Sequence, residues 1–276
     1  MSATLTITPS AQLTNTIKAE RCEAVERHGY LFGQKITHSL SPFLHGTIYN
    51  EIGLKWEQTR LDSADIPMFL ELIKDPNFYD VVGVRESFYQ KRRRPRCRLS
   101  ITVPPSSSAA VGAARSAVYA LRKWMKVTDI YLVNRDDAEV QAVIEECTTR
   151  GYGQGLRHIK DAAEVASLES VGAIVACVPN FTPQTAEEKA ARAVIEAFLG
   201  KETKGAMLEM CYNPTPFTEL GALAEDAGWQ VILGTEAMIW QGLEQDRYWT
   251  GRELDQLPVK KVQEAIASRL GQASKL

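Results

Sequence analysis

Asp129-Ile130-Tyr131-Leu132-Val133 is a short β-rich run, and Asp136 to Arg150, directly behind it, carries helical spacing. This stretch decides the fold, because its pattern recurs through the second half of the chain. Val171-Gly172-Ala173-Ile174-Val175-Ala176-Cys177 is a second apolar run, stopped by Pro179, and Thr185 to Leu199 is an Ala- and Glu-rich helix. Gly205-Ala206-Met207-Leu208-Glu209-Met210 is a third run, ahead of a helix from Pro216 to Ala227. Trp229 to Leu233 is a fourth, and two helices follow over Thr235 to Tyr248 and Leu257 to Leu270. Buried strands that alternate with helices predict an α/β fold with a parallel sheet covered on both faces. Ligands in such sheets sit at the carboxyl ends of the strands.

Working outward, the N-terminal part is thinner. Tyr30 to Gln34 and Lys55 to Leu61 predict strands, and Pro42 to Ile52 and Asp65 to Lys74 predict helices. Phe78-Tyr79 then meets Asp80-Val81-Val82-Gly83 with no further strand between, so residues 20–90 are expected to form a truncated α/β lobe. Residues 91–111 stand apart, with a basic run Lys91-Arg92-Arg93-Arg94-Pro95-Arg96-Cys97-Arg98 and a Pro/Ser-rich stretch from Pro104 to Ser108. No aromatic residues interleave the charges, which favours a solvated linker over a nucleic-acid patch. Leu99 to Val103 keep enough strand character to pair in a sheet. The expected division is a lobe over 20–90, a linker over 91–111, a parallel-sheet α/β domain over 112–250 and a C-terminal helix over 251–276.

Composition excludes several functions. The 276 residues are 45% hydrophobic and 24% charged with a net charge of −2, as in ordinary globular proteins. That balance gives no electrostatic reason to expect nucleic acid or membrane as a partner. No apolar run is long enough to span a bilayer. Met1 to Gln12 lack a basic segment followed by an apolar one, so no secretory signal is expected. The five cysteines (Cys22, Cys97, Cys147, Cys177, Cys211) are scattered without C-x-x-C spacing. They predict reduced thiols in a cytoplasmic protein and no zinc site. The histidines show no paired spacing that would hold a metal.

Chemistry concentrates in Gly33-Gln34-Lys35-Ile36-Thr37-His38-Ser39-Leu40-Ser41-Pro42-Phe43-Leu44-His45. Two hydroxyls sit just before a helix-starting proline. Ser39 and Ser41 can therefore project at a strand-to-helix turn beside free backbone N–H groups, a way to hold a small carboxylate. The alternative is an ordinary Ser-Pro helix cap. The segment resembles the substrate-carboxylate loop of the shikimate/quinate dehydrogenase family, G-x-x-I-x-H-S-x-S-P-x-x-H. Further segments resemble that family in the same order along the chain. Asp80-Val81-Val82-Gly83 looks like the end of N-T-D-x-x-G, Asn134-Arg135 like the N-R that meets the adenosine end of the cofactor, and Cys177-Val178-Pro179 like the turn beside the nicotinamide ribose. Tyr212-Asn213-Pro214, Gly234 with Gln241, and Trp249-Thr250-Gly251 resemble Y-N-P, G-x6-Q and W-T-G. The flavour is similar to fungal quinate/shikimate dehydrogenases and their non-enzymatic relatives.

The resemblance implies a Rossmann-like domain and hydride transfer between NADP or NAD and a polyhydroxy cyclohexane or cyclohexene carboxylic acid such as shikimate or quinate. It implies Asp80 as acid/base, with Ser39, Ser41, Tyr212 and Gln241 on substrate. Gly112, Ala113, Asn134, Arg135, Cys177, Val178 and Gly234 would lie along the cofactor. The alternative role of Asp80 is to cap a helix starting at Val81. Asp136 and Asp137 beside Arg135 oppose a cofactor 2′-phosphate and suit a ribose hydroxyl better, which leaves the cofactor choice open. A monomer or a homodimer fits equally.

Two departures from the family pattern stand out. Nothing resembling the catalytic-lysine segment N-V-T-x-P-x-K lies between Leu61 and Asp80, and Lys74 is only a helix-end lysine. Where the family has G-x-G-G-A-A-R, the chain has Ser107-Ser108-Ala109-Ala110-Val111 before Gly112-Ala113-Ala114-Arg115. Val103 to Val111 can be encoded so that a frame two bases later reads Pro-Ala-Leu-Val-Ile-Gly-Gly-Gly, which Gly112 onward completes to the family loop. An out-of-frame segment near 91–111, and a splicing loss of the lysine segment, would explain both. The expected enzyme is therefore impaired or inactive. The competing readings are a non-catalytic sensor of ring acids that regulates quinate metabolism, and an enzyme of altered chemistry in fungal secondary metabolism.

Overall fold

The computed structural model describes residues 25–33, 36–81, 98–102, 108–212 and 215–271; at 80–81, 98–102 and 108–112 it describes the backbone path only. The chain divides into two compact units, residues 1–85 with 241–276, and residues 86–240.

In the first unit three parallel strands stand in the order β2-β1-β3. They are β1 (Arg27–Gly33), β2 (Trp56–Asp62) and β3 (Phe78–Val81). Helix α1 (Ser41–Glu51) connects β1 to β2, and α2 (Ile66–Leu72) connects β2 to β3. Pro42 opens α1 within its first two positions, and Gly53 just beyond its end takes a positive φ of 74°, a conformation glycine reaches without a Cβ clash. Asp65 caps α2 by accepting from the Met68 N–H at 2.9 Å. Strand β3 was not expected. Its four residues are too short to carry a period, and pairing with β1 makes it a strand. Val81 therefore belongs to β3, and no helix starts there for Asp80 to cap.

The core of this unit is aromatic. Tyr49 of α1 and Tyr79 of β3 share a 2.9 Å hydroxyl–hydroxyl hydrogen bond. Trp56 stacks on Tyr79 with ring centres 5.1 Å apart, and Trp249 lies 5.1 Å from the same ring. Gly29 makes room for this group, since a Cβ there would come within 2.5 Å of the Tyr79 ring. The C-terminal segment belongs to this unit too: α9 (Val259–Arg269) packs against α1, and Lys261 pairs with Glu51.

The second unit holds six parallel strands in the order β6-β5-β4-β7-β8-β9. They are β4 (Arg98–Thr102), β5 (Asp129–Val133), β6 (Leu156–His158), β7 (Ala173–Ala176), β8 (Ala206–Glu209) and β9 (Gln230–Leu233). The helices are α3 (Ser108–Lys123), α4 (Asp137–Thr149), α5 (Ala162–Ser167), α6 (Ala186–Leu199), α7 (Glu219–Asp226) and α8 (Gly234–Thr250), the last running on into the first unit. Every ladder is parallel, as the alternation predicts. One core group gathers Val118, Leu132, Val140, Val143 and Cys147, and another gathers Tyr131, Val194, Phe198, Met207 and Trp229.

The stretch expected as a linker contains a strand, as the strand character of Leu99 to Val103 allowed. Arg98–Thr102 form β4, the strand between β5 and β7. Ser108 to Val111 form the first turn of α3, so the second unit begins well before residue 112. The basic and Pro/Ser-rich neighbours mask a five-residue strand whose identity comes from two flanking partners. In this order the direction of winding reverses between β4 and β7, which is where doubly wound sheets bind ligands.

Candidate functional site

In the first unit the site is built at the turn between β1 and α1. Helix α1 begins at Ser41 with Leu40 as its N-cap, and no side chain caps it. The two serines therefore do not serve as an ordinary helix cap. Ser39 Oγ accepts from the Ser41 N–H at 3.3 Å, and Ser41 Oγ donates to Gln58 Oε1 at 2.7 Å. Arg60 grips the turn from β2, its Nε and Nη2 donating to the Ser39 carbonyl at 3.1 and 2.8 Å. Backbone donors are scarcer than expected, because the Ser41 N–H is already taken and Pro42 has none. The hydroxyls, with a guanidinium beside them, are the groups left to meet an anion.

Gln58 and Arg60 were missed at the sequence level. They enter through register: β1 and β2 pair in parallel with Gly29 opposite Gln58 and Leu31 opposite Arg60. A strand 20 residues on thus returns alongside the turn. The local signal is that two long polar side chains, Gln58 and Arg60, stand two residues apart on β2 and so share a face.

The two motif histidines separate. His38 is exposed, whereas His45 is buried with its Nδ1 2.8 Å from Asp246 Oδ2. Gln241 lies exposed on α8. Asp80 lies on β3, and its side chain is outside the described residues.

In the second unit the expected cofactor residues follow the strand ends. Asn134 follows β5, and its amide is committed to the turn: Nδ2 donates to Glu139 Oε2 at 2.7 Å, and Oδ1 accepts from the Asp136 N–H at 3.3 Å. Arg135 pairs with Glu188 and lies 5.9 Å over the Phe181 ring. Glu188 also closes the N-terminus of α6, accepting from the Gln184 and Thr185 N–H groups at 2.8 and 3.1 Å. Those backbone donors hold its carboxyl below the usual range. Asp136 caps α4 by accepting from Ala138 at 2.8 Å, and Asp137 pairs with Lys160. The charge that neutralises Arg135 is thus Glu188, not the neighbouring aspartates.

Beyond β7, the Val178 carbonyl accepts from Cys211 Sγ at 2.8 Å, and burial pushes the Cys177 thiol far up. These thiols are poor nucleophiles. Beyond β8, Glu209 is 1% exposed and accepts from the Cys211 N–H and the Thr218 hydroxyl, each at 3.0 Å. Burial pushes its carboxyl up to about 7. Burial, then Cys211, also raises the Tyr212 phenol, while Asn213 and Pro214 lie outside the described residues. Gly234 opens α8 against the Met210 carbonyl, where a Cβ would come within 2.5 Å.

No family model matches the chain. A quinate dehydrogenase from Emericella nidulans is 34% identical, over 89% of this chain and 95% of that protein. The chain belongs to the quinate/shikimate dehydrogenase family. The alignment with this relative extends over 313 positions, more than the 276 residues present here. The relative therefore carries residues that have no counterpart in this chain. The dehydroquinate dehydratase and shikimate dehydrogenase portion of S. pombe AroM shares the fold with a TM-score of 0.64 at 22% identity, over 94% of this chain and 56% of that one. A quinate dehydrogenase from Corynebacterium glutamicum in complex with NAD matches with a TM-score of 0.61 at 15% identity, over 88% of this chain and 99% of that one.

Dinucleotide binding in a family of this fold needs glycines where the first strand meets the first helix. Here the backbone of α3 already winds from Ser108, so Gly112 is its fifth residue and not part of the turn before it. Ala113 is half-buried behind it. Asn134 and Arg135, the residues expected at the adenosine end, follow β5, with the Asn134 amide engaged in its own turn and Arg135 paired with Glu188. Among the described residues no group of three or more His, Cys, Asp or Glu side chains could hold a metal, and no helix is long and apolar enough to cross a membrane.

Proposed function

We propose that the protein binds a polyhydroxy ring carboxylate of the quinate/shikimate type and descends from an NAD(P)-dependent oxidoreductase acting on it. The observation that carries this is the Ser39–Ser41 turn, whose hydroxyls do not serve as a cap and whose carbonyl is gripped by Arg60. The family relative named for quinate supports the substrate class. Ser39 and Ser41 would take the carboxylate, and Tyr212 and Gln241 would take ring hydroxyls.

A bound nicotinamide would accept or supply the hydride at a ring carbon. As the hydride leaves that carbon, the attached hydroxyl must lose its proton, and Asp80 is the residue proposed to move it. Asn134 and Arg135 would hold the adenosine end of NADP or NAD, Gly112 and Ala113 the pyrophosphate end, and Cys177, Val178 and Gly234 the nicotinamide end. With Arg135 neutralised by Glu188, a ribose hydroxyl suits this end better than a 2′-phosphate.

A second reading is a non-catalytic sensor of the same acids. The winding of α3 from Ser108 and the absence of the lysine segment favour it. Both readings place the protein in the cytoplasm as a monomer or homodimer. One assay separates them: purified protein with quinate or shikimate and NAD⁺ or NADP⁺, followed by absorbance of the reduced cofactor, beside calorimetry of the acid alone. Binding without turnover selects the sensor, turnover selects the enzyme, and neither rejects the ring-acid reading.

A further inference from the structure

Gln58 is 4% exposed, and its Nε2 has no hydrogen-bond partner among the described residues. An amide N–H₂ buried without a partner is costly, so it asks for an explanation. Its other end accepts the Ser41 hydroxyl proton at 2.7 Å. In that arrangement Ser41 has given its only proton to the protein and meets a ligand solely as an acceptor. A carboxylate is also acceptor-only, so the two repel. Ser39 differs: its Oγ accepts from the Ser41 N–H, which leaves its own proton to donate.

Turning the Gln58 carboxamide by half a revolution reverses this polarity. Nε2 then donates to Ser41 Oγ, one orphan N–H is satisfied, and the Ser41 proton is released toward the ligand. We propose that Gln58 is the positioning residue of the carboxylate turn, its amide orientation deciding whether Ser41 donates to the ligand or to the protein. With Oε1 toward Ser41 the proton is held inward, and a bound carboxylate would select the turned amide. This rests on the carboxylate reading of the Ser39–Ser41 turn and adds to it a residue from a different strand that controls the polarity of the site.

The test is a double-mutant cycle read by calorimetry with quinate, in the full chain, with thermal unfolding to confirm folding. Gln58→Glu places an acceptor-only group against Ser41 and holds the proton inward. It is expected to weaken quinate about ten- to hundredfold while Ser41 is present, the loss of one hydrogen bond to a charged group. In a Ser41→Ala background the same change should cost less than about threefold, because the relay is already broken. Gln58→Leu removes the inward acceptor and leaves the Ser41 proton free for the ligand, so it should weaken quinate by less than about threefold. Equal losses with and without Ser41 would mean that Gln58 acts by charge or packing alone, and would overturn the assignment. Quinate binding by the parent protein with both Gln58 variants unchanged overturns the role of Gln58 only. No binding of quinate or shikimate by the parent protein overturns the carboxylate turn and this inference with it.

Discussion

His45 Nδ1 and Asp246 Oδ2 lie 2.8 Å apart, with both side chains essentially inaccessible to water. The contact joins α1 to α8 through two residues 201 positions apart in sequence. Trp249, one turn along α8, has its ring centre 5.0 Å from His45, and Gly242 lets Leu44 come within 2.5 Å of where a Cβ would stand. The second histidine of the serine motif thus fastens the helix that begins at Ser41. Its place in the motif follows from the fold, and contact with ligand is not required to explain it.

Removing one partner strands the other. His45→Ala is expected to cost ~3–5 kcal/mol, since an uncompensated polar group stays buried. Replacing both residues by leucine should cost less than either single change. Urea unfolding of His45→Ala, Asp246→Ala and the double leucine variant checks this; a single variant as stable as the parent would sink the claim.

The carboxylate turn makes its own prediction. Ser39→Ala and Ser41→Ala should each weaken quinate or shikimate by ~1.5–3 kcal/mol, the worth of a hydrogen bond to a charged group. Calorimetry at constant salt gives the affinities, and unchanged values count against the turn as a binding site.

Glu209 sets a pH dependence of stability. Its carboxyl is raised to about 7 by burial, whereas an unfolded glutamate titrates at about 4.3. Between those values the folded state keeps a proton that the unfolded state has lost. Stability should therefore fall as pH rises through that window, with the full penalty present above about 7. At 1.36 kcal/mol per pKa unit the change is on the order of 3 kcal/mol. Glu209→Gln should flatten the profile, as read from denaturant midpoints between about pH 5 and 8; a profile as steep as the parent's would exclude Glu209 as its source.

Turnover should be poor or absent in the 276-residue chain. Loss of a positioned acid/base typically costs ~10²–10⁴-fold, and the loss of glycines ahead of Gly112 should weaken the dinucleotide independently. Restoring G-x-G-G alone should recover cofactor binding without full turnover, and restoring the lysine segment as well should recover turnover. Robust activity of the unmodified chain would show that another residue does the work of the lysine.

The frame of residues 91–111 can be read from the transcript. A message shifted by two bases upstream of Gly112 would account for the serine and alanine string, whereas in-frame codons throughout would show that the chain carries this sequence by design of its gene.

Much of the second unit was legible in the chain itself. Residues 129–133, 173–176, 206–209 and 230–233 announce themselves as buried strands because apolar runs between helical periods depend only on neighbours a few residues away. The serine-proline turn was legible for the same reason, since turn chemistry is local. Tertiary structure decided the rest. Arg98–Thr102 became a central strand because β5 and β7 supply partners on both sides. Phe78–Val81 became a strand because β1 offered an edge. Arg135 met Glu188 rather than Asp136 because the first residues of α4 claim Asp136 as their cap. Gln58 reached Ser41 only through the register of two parallel strands. Each of these depends on groups brought together over 17 residues or more, and no local period or motif records which distant hydrogen-bonding group will arrive.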